Sequence, residues 1–243
     1  MKAMIFAAGL GTRLGTATAN MPKALVKVGD FTLLEIAIKR LQKSGFQEII
    51  INIHHYAEQI IDFLKNYEGD AQIFLSDERE KLLDTGGGLF KASHFFEKEK
   101  AFLVYNVDIL CTIDLQNLMA THLQNNSLAT LVIRPRETSR YLLFNQENNL
   151  CGWTNLITDE TIVSRPCENP RKLAFSGIHV ISPEIFGHYN CAPNSKFSIT
   201  EMYLELSKHH SIRGYIDEDS KWLDVGKPDT LKEAEENQNI FLP

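Results

Sequence analysis

The sequence has little of what marks several large classes of protein. It has four cysteines among 243 residues and no C-x-x-C pair, which argues against a zinc site. No apolar run approaches the ~20 residues of a membrane span, and glycines cut short the first apolar run before it could serve as a signal peptide. The formal net charge is -6, so the basic surplus typical of nucleic-acid binding is missing. These absences predict a cytoplasmic protein with reduced cysteines and no membrane or nucleic-acid partner.

Short apolar runs alternate with stretches of helical periodicity through the first half of the chain. The apolar runs are predicted to be strands: Lys2–Ala8, Glu48–Ile53, Gln72–Leu75, Ala101–Asn106 and Ala129–Arg134. The stretches between them are predicted to be helices: Thr32–Ser44, Ala57–Asn66, Gly88–Phe96 and Leu115–Asn125. Strands that alternate with helices indicate an α/β fold with a mostly parallel sheet and right-handed crossovers.

The pattern changes after Arg136, where short strands follow one another with turns between them. These strands predict a small antiparallel lobe: Tyr141–Asn145, Leu150–Thr154 and Ala174–Ile181. The remaining elements are predicted to be a helix, a strand and a closing helix: Ile199–His209, Ile212–Ile216 and Pro228–Asn239. No linker rich in Pro, Gly or Ser divides the chain, so we expect a single domain over residues 1–243.

A glycine-rich loop follows the first predicted strand, with glycines at positions 9, 11 and 15. Glycine lets the backbone approach a phosphate closely. The third glycine comes one position too late for G-x-G-x-x-G. A dinucleotide-binding fingerprint also needs an acidic residue about 20 residues further on, at the end of the next strand, and that region is here predicted to be helical. Both points disfavour an NAD-dependent oxidoreductase. The loop also lacks G-K-[ST], which excludes a P-loop.

Two cations accompany this loop. Arg13 lies within it, and Lys23 follows ten residues later, directly after Pro22. Arginine can bind phosphate oxygens in a bidentate manner, whereas lysine acts as a point charge, so the pair suits a triphosphate. From the residue types alone, an ordinary solvated turn stays open as the alternative.

The loop and the segment after it together resemble the signature of one family. The residues A-A-G-x-G-T-R-L at positions 7–14 are followed by P-K-A-L at positions 22–25. This combination is similar to that of the sugar 1-phosphate nucleotidyltransferases, also called sugar-nucleotide pyrophosphorylases. The family more often has Pro at or beside Thr16 and at Ala24, and these differences concern loop rigidity more than charge.

The resemblance implies a fold and a set of roles. The fold is a Rossmann-like, three-layer α/β/α nucleotidyltransferase fold with a mostly parallel central sheet and a small antiparallel sugar-binding lobe. Arg13 is expected to contact the β- and γ-phosphates and Lys23 the α-phosphate, and both are expected to be catalytic together with Asp108. The nucleotide-binding residues are implied to be Ala8, Gly9, Gly11, Thr12, Arg13 and Lys23, with Thr85, Gly86 and Gly87 at the base and ribose.

Two aspartates are candidates for a metal site. Asp108 follows a predicted strand in N-V-D, and Asp224 lies in W-L-D-V-G before the closing helix. Open α/β sheets bind ligands at the carboxyl ends of their strands, although aspartates also cap turns there. Both segments resemble those of the family, which implies that the two aspartates bind Mg²⁺. Mg²⁺ typically takes one or two carboxylates together with substrate phosphates and water.

The resemblance also implies a group of residues on the sugar side: Asn106, Arg165, Ser176 and Gly177. The run F-S-G-I is similar to the family's F-x-G segment. Arg165 in S-R-P would replace the lysine of the family's E-K-P, with no Glu before it.

The adjacent His54 and His55 are predicted to be a partly solvated pair at a strand end rather than metal ligands.

These roles imply that a nucleoside triphosphate and a sugar 1-phosphate are the partners, with Mg²⁺ as cofactor and no covalent intermediate. The compact length and the T-G-G-G-x-F-K-A and F-S-G-I runs together most resemble the N-acetylmuramate 1-phosphate uridylyltransferases of cell-wall recycling. This resemblance implies UTP and N-acetylmuramate 1-phosphate as substrates. The alternative is a guanylyltransferase acting on mannose 1-phosphate or a heptose 1-phosphate. A non-catalytic nucleotide-sugar sensor is a rival of another class, and the charged residues named above argue against it. The left-handed β-helix into which many relatives continue is not expected.

Overall fold

The computed structural model describes residues 1–242, and its contacts divide the chain into two compact units. Unit 1 is formed by Met1–Leu83, Val104–Gln116 and the described residues from Ser220 onward. Unit 2 is formed by Asp84–Leu103 and Asn117–Asp219. The chain therefore leaves unit 1 and returns to it twice, and the single-domain expectation stays a prediction.

Strands and helices alternate along the described residues. The strands are β1 (Lys2–Phe6), β2 (Lys27–Val28), β3 (Phe31–Thr32), β4 (Glu48–Ile53), β5 (Gln72–Asp77), β6 (Phe102–Asn106), β7 (Ile109–Cys111), β8 (Ala129–Arg134), β9 (Arg140–Phe144), β10 (Leu150–Asn155), β11 (Glu160–Val163), β12 (Arg171–Ile181), β13 (Ile212–Ile216) and β14 (Trp222–Asp224). The α-helices are α1 (Leu33–Lys43), α2 (Ala57–Lys65), α3 (Asp84–Lys91), α4 (Leu115–Asn125), α5 (Ile185–His188), α6 (Ile199–Leu206), α7 (Pro228–Glu236) and α8 (Gln238–Phe241). Short 3-10 helices lie at Thr12–Thr18, Lys23–Leu25 and Ser93–Phe95. Within residues 1–242, none of the helices has both the length and the apolar character that crossing a bilayer requires.

The sheet of unit 1 has the strand order β6–β1–β4–β5, with β6 contributing its residues from Val104 onward. Strand β1 is parallel to β4, and β4 is parallel to β5. The register pairs Phe6 with Asn52 and Asn52 with Ser76, so the carboxyl ends of these strands lie side by side. The isoleucines of β4 are buried, as their β-branched run predicts.

Helix α1 shows how local sequence determines the bounds of an element. The hydroxyl of Thr32 caps its start by accepting a hydrogen bond from the Glu35 backbone N–H at 3.1 Å. Its apolar residues recur at helical spacing, and Ile38 and Leu41 among them are fully buried. The chain leaves the helix through Gly45, which has a φ of +86°. The predicted helix is therefore confirmed, with its predicted end residues serving as caps.

Unit 2 contains the antiparallel strands that the second half of the sequence predicts. Strands β9, β10 and β11 form an antiparallel ribbon, and β9 also pairs with the start of β12. Strand β12 is 11 residues long and pairs antiparallel with β8 over its later part, while β13 is parallel to β8. The α/β class, with a parallel sheet and an antiparallel lobe, is confirmed. Sugar binding by that lobe stays a prediction.

Several predicted boundaries were wrong. The helix expected at Gly88–Phe96 is α3, which begins at Asp84 and ends at Lys91, so the three glycines lie inside the helix. Helix α6 ends before the expected His209, and the closing helix is interrupted at Asn237. Strands β7 and β14 were not predicted, because three residues are too few to show a periodicity.

Candidate active site

The loop after β1 turns back at Gly11. This residue has a φ of +67°, a left-handed conformation that favours glycine. Its carbonyl accepts hydrogen bonds from the Leu14 N–H at 3.0 Å and from the Thr18 hydroxyl at 2.9 Å. A Cβ at position 11 would lie 3.0 Å from the Cβ of Lys23. The loop therefore packs tightly against the segment that carries Lys23.

The outer side of this loop is open. Gly9, Thr12 and Arg13 are exposed, whereas Ala8 is buried at the end of β1. A Cβ added at Gly9 would meet no described atom within 4 Å. The predicted phosphate-binding residues therefore form an accessible turn, with its backbone free to be approached.

Lys23 is a largely buried cation. Its side chain is 10% exposed, and that of Asp108 is 16% exposed. The ammonium donates to Oδ2 of Asp108, forming an ion pair. Buried charges need such a partner, because their desolvation is costly. The structure thus brings the predicted α-phosphate cation together with one of the predicted metal ligands.

Asp108 lies in the turn between β6 and β7. The hydroxyl of Tyr105 donates to the carbonyl of Ile109 at 2.8 Å. The Val107 N–H donates to the carbonyl of Phe6 at 3.2 Å, which ties the turn to the end of β1. Burial raises the pKa of Tyr105 well above its usual value, so the phenol stays neutral and keeps its proton for this bond.

The second predicted metal ligand lies on β14, which pairs antiparallel with β7. The register places Asp224 opposite Ile109, the residue after Asp108. The Val225 N–H donates to the backbone carbonyl of Asp108 at 2.8 Å. Two aspartates from distant parts of the sequence are therefore neighbours within unit 1.

Arg13 reaches the same pair of strands. Its Nη2 lies 4.0 Å from Oδ2 of Asp224, and the two side chains are 59% and 35% exposed. A Cβ at Gly226 would lie 2.7 Å from Nη2 of Arg13 and 2.6 Å from Oδ1 of Asp224. A side chain at this position would displace both groups from where they lie, so Gly226 joins the candidate site. The sequence showed it only as part of W-L-D-V-G, without a role of its own.

The two carboxylates fit a magnesium ion. Mg²⁺ needs one or two carboxylates, with phosphates and water as the remaining ligands, and Asp108 and Asp224 provide that number on adjoining segments. Among residues 1–242, no group of three or more His, Cys, Asp or Glu side chains is arranged to hold a metal. Magnesium binding by Asp108 and Asp224 stays a prediction.

The predicted base- and ribose-binding residues belong to unit 2, and their polar groups are bonded there. The Gly86 N–H donates to the Phe197 carbonyl at 3.0 Å, and Oγ1 of Thr85 accepts from the Ile199 N–H at 2.9 Å. A Cβ at Gly86 would lie 2.3 Å from the ring of Phe197. Phe197 therefore makes the close approach that the missing side chain of Gly86 allows. Nucleotide binding by Thr85, Gly86 and Gly87 stays a prediction.

The predicted sugar-side residues divide between the units. Asn106 is the half-buried last residue of β6 in unit 1. Ser176 and Gly177 lie in β12, where the register with β8 shifts and Gly177 has a φ of +75°. Nη2 of Arg165 donates to the carbonyl of His210 at 3.0 Å, so this guanidinium is engaged within unit 2. Sugar binding by these four residues stays a prediction.

Unit 2 also contains a cavity of about 620 Å³ that no sequence motif marked. Its charged and aromatic lining consists of Arg140, Trp153, Glu160, Tyr189, Glu201, Glu205 and Lys208.

Strand β4 and its end add residues that bear on the site. Asn52 is buried, and its side chain binds the backbone at the start of the glycine loop. The sequence feature that could have identified Asn52 was its single amide in the otherwise apolar end of E-I-I-I-N-I.

His54 and His55 follow the strand and are half-buried, as predicted. The ring of His55 contacts that of Tyr56, with centroids 4.1 Å apart.

Comparison with known proteins gives a family match over almost the whole chain. The model of the Nucleotidyl transferase family matches residues 2–239. The mannose-1-phosphate guanyltransferase of Pichia angusta is 28% identical over 234 residues, which cover 94% of this chain and 61% of the relative. The enzyme of the same name from Yarrowia lipolytica is 29% identical over 232 residues, with the same two coverages of 94% and 61%. The chain thus spans about three fifths of the length of these curated relatives.

Solved structures show the same fold. HddC from Yersinia pseudotuberculosis, complexed with GMP-PN, is 21% identical, with a TM-score of 0.76. The match covers 98% of this chain and 99% of the HddC chain. A putative glucose-1-phosphate thymidylyltransferase from Bacillus anthracis is 17% identical with a TM-score of 0.79, covering 98% and 94% of the two chains. These relationships support the predicted fold class.

The comparisons confirm the broader resemblance and correct the narrower one. The curated relatives above are mannose-1-phosphate guanyltransferases, which match the alternative rather than the expected N-acetylmuramate 1-phosphate uridylyltransferase. The family model spans the glycine loop, both aspartates of the site and the closing helix. The chain therefore belongs to the nucleotidyl transferase family.

Proposed function

We propose that this chain transfers a nucleoside monophosphate from a nucleoside triphosphate to a sugar 1-phosphate and releases pyrophosphate. The observation that carries the proposal is the meeting of two cations and two carboxylates beside the loop after β1. Lys23 is paired with Asp108, in the turn before β7, and Arg13 with Asp224 on β14, which pairs with β7 in unit 1. A reaction between two phosphates requires this combination, because their mutual repulsion must be neutralised while they are positioned.

In the proposed reaction, an oxygen of the sugar 1-phosphate attacks the α-phosphorus of the triphosphate. The bond between the α-phosphorus and the bridging oxygen breaks, and pyrophosphate leaves. Arg13, exposed on the loop, binds the β- and γ-phosphates, and Lys23 binds the α-phosphate. The attacking phosphate oxygen is already ionised, so no side chain acts as a general base. Catalysis comes from positioning and from charge neutralisation.

Asp108 and Asp224 are the residues that would hold Mg²⁺ in this reaction. When bound, the ion supplies charge neutralisation and polarises phosphate oxygens. The β7–β14 pairing keeps the two carboxylates on adjoining segments, and the ion pairs with Lys23 and Arg13 balance their charge in this structure. The chain's own contribution is therefore to hold two acidic and two basic groups in one place.

We propose GTP and mannose 1-phosphate as the preferred substrates. Support comes from the mannose-1-phosphate guanyltransferases at 28% and 29% identity and from the HddC structure in complex with GMP-PN. A heptose 1-phosphate is the second sugar to test. UTP with N-acetylmuramate 1-phosphate is the comparison pair, because the glycine-run motifs favoured it.

A pyrophosphate-release assay tests the proposal. Four nucleoside triphosphates are combined with mannose, heptose, glucose and N-acetylmuramate 1-phosphates, with and without Mg²⁺. We expect metal-dependent release that is greatest with GTP and mannose 1-phosphate. The Asp224→Asn variant should abolish it, while Asp229→Asn, exposed in the first turn of α7, should not. Release that is greatest with another pair would overturn the substrate assignment, and no release from any pair would favour the non-catalytic sensor.

A further inference from the structure

Two buried polar side chains bind the backbone where β1 enters the glycine loop. Asn52 is 4% exposed and Glu78, just after β5, is 0% exposed. Oδ1 of Asn52 accepts hydrogen bonds from the N–H groups of Ala7 at 2.7 Å and Ala8 at 3.3 Å. Nδ2 of Asn52 donates to Oε1 of Glu78 at 2.7 Å.

Glu78 determines which way the amide of Asn52 points. A carboxylate oxygen only accepts hydrogen bonds, and the two loop N–H groups only donate. The flipped amide would set Nδ2 against both N–H groups and Oδ1 against the carboxylate. The other oxygen of Glu78 accepts from the Leu83 N–H at 3.2 Å, which anchors the carboxylate in turn.

The core alone does not require these groups. The neighbours of Asn52 on β4 are isoleucines, and a buried polar network is often no more stabilising than apolar residues of similar volume. What the network provides is an acceptor for two N–H groups that lie beyond the end of β1 at Phe6. These two residues lead directly into the segment from Gly9 to Arg13.

We infer that Asn52 and Glu78 are positioning residues for the nucleoside triphosphate. Asn52 sets the path of the backbone from β1 into the loop, and Glu78 acts through Asn52 by holding its amide in one orientation. Neither side chain touches substrate in this account. The inference rests on the proposed function, because it assigns these residues to the triphosphate loop rather than to the sugar phosphate. A loop held in its binding conformation binds more tightly, because less ordering remains to be done.

Three isosteric variants separate positioning from packing. Asn52→Asp keeps the acceptor for the loop but sets a carboxylate against Glu78. Glu78→Gln leaves one carbonyl oxygen for two donors, the Asn52 amide and the Leu83 N–H, so one of them loses its acceptor. The double variant Asn52→Asp/Glu78→Gln exchanges donor and acceptor. The glutamine amide then donates to the new aspartate and its carbonyl accepts from the Leu83 N–H, while the acceptor for both loop N–H groups is kept.

The readout is calorimetric binding of GTP and of UTP with Mg²⁺, beside the KM for the sugar 1-phosphate. Each single variant should raise the nucleotide Kd about tenfold, and the double variant should return it to within about threefold of wild type. The KM for the sugar phosphate should change by less than about twofold in all three. Ser44→Ala is the matched control, since it removes a buried hydroxyl that donates to the Arg40 carbonyl at 3.1 Å, at the end of α1 and away from the loop.

The outcomes distinguish this inference from the proposed function. A wild-type chain that binds neither nucleotide overturns both. A wild-type chain that binds nucleotide while the single variants bind it equally well overturns only the positioning role. So does a double variant as weak as the two singles combined. Loss of folding in both single variants also overturns it, because the network would then serve the fold.

Discussion

At the scale of single residues, the two cations of the site differ in exposure and in pairing. The Arg13 side chain is 59% exposed and lies 4.0 Å from Asp224, whereas the Lys23 side chain is 10% exposed and is bonded to Asp108. Exposed ion pairs contribute little to stability, while removing one partner of a buried pair is costly. The two cations should therefore respond differently to substitution.

Replacing Arg13 by alanine should affect turnover far more than folding. Loss of a phosphate-binding guanidinium should lower kcat/KM about 10²- to 10³-fold. The free energy of unfolding should change by less than about 0.5 kcal/mol, because the side chain is mostly exposed. Pyrophosphate release and urea denaturation measure the two quantities. Arg79→Ala, which removes an exposed, ion-paired arginine outside the loop, is the control. Near-normal turnover in a folded Arg13→Ala chain would remove Arg13 from the site.

Replacing Lys23 by methionine should affect both quantities. The free energy of unfolding should fall by about 3 kcal/mol, because Asp108 is left as a largely buried charge without this partner. Adding Asp108→Asn should recover most of that stability, while pyrophosphate release stays absent. Denaturant titrations of the single and double variants check the first claim. A double variant no more stable than Lys23→Met would show that the pair is not what stabilises this region.

Gly226 should tolerate no side chain without loss of activity. An alanine Cβ there would meet Arg13 and Asp224 at 2.7 Å and 2.6 Å, so the guanidinium must move. A displacement of this kind should lower kcat/KM at least about tenfold. Gly187→Ala is the matched control, because a Cβ at Gly187 would meet no described atom within 4 Å. Equal activity of the two variants in the pyrophosphate assay would contradict the role of Gly226.

At the scale of elements, long periodic segments were predictable from the sequence and short ones were not. Helix α1 shows its periodicity and its capping residues in the local sequence, and strand β4 shows a short run of β-branched residues. Both elements were predicted closely. Strand β14 has three residues, and its pairing with β7 is a long-range contact that no local pattern encodes. Asp224 could therefore be identified through a family motif, while its register opposite Ile109 could not.

The glycine run of α3 was misread for a related reason. Three consecutive glycines predict a loop, because glycine is a poor helix former. In unit 2 the N–H groups of Gly86 and Gly87 both face the carbonyl of Phe197, at 3.0 Å and 3.4 Å. Tertiary packing of Phe197 against Gly86 thus overrides the local preference, and only the folded structure shows that partner.

Helix α4 is joined to β8 by a buried histidine whose charge state should control stability. The ring of His122 bonds to Oγ1 of Thr130 at 2.9 Å and to Oγ of Ser182 at 3.0 Å. Burial lowers the pKa of His122 from 6.5 to about 4. The folded chain thus keeps this ring neutral, while the unfolded chain takes up its proton below pH 6.5.

Stability from this histidine should therefore be present above pH 6.5 and be lost as the pH falls toward 4. The loss should reach about 3 kcal/mol. Urea denaturation of wild type and His122→Gln over this range isolates the effect, because groups common to both chains cancel in the difference. The advantage of wild type over the variant should shrink as the pH falls. A difference independent of pH would contradict the assignment.

At the scale of the whole molecule, family and fold were predictable but the substrates were not. The loop motif, P-K-A-L and W-L-D-V-G occur together in this sequence, and the family match over residues 2–239 confirms the resemblance. The choice of base and sugar depends on a few hydrogen bonds, and no motif determines those. For this reason the sequence motifs predicted a uridylyltransferase, whereas the curated relatives are mannose-1-phosphate guanyltransferases.

The central claim is that Asp108 and Asp224 together hold one divalent ion with the triphosphate. Electron paramagnetic resonance of Mn²⁺, titrated into the chain with a non-hydrolysable GTP analogue, tests it directly. We predict one tight Mn²⁺ per chain, with affinity reduced at least about tenfold in both Asp108→Asn and Asp224→Asn. Wild-type Mn²⁺ affinity in either variant would contradict the account.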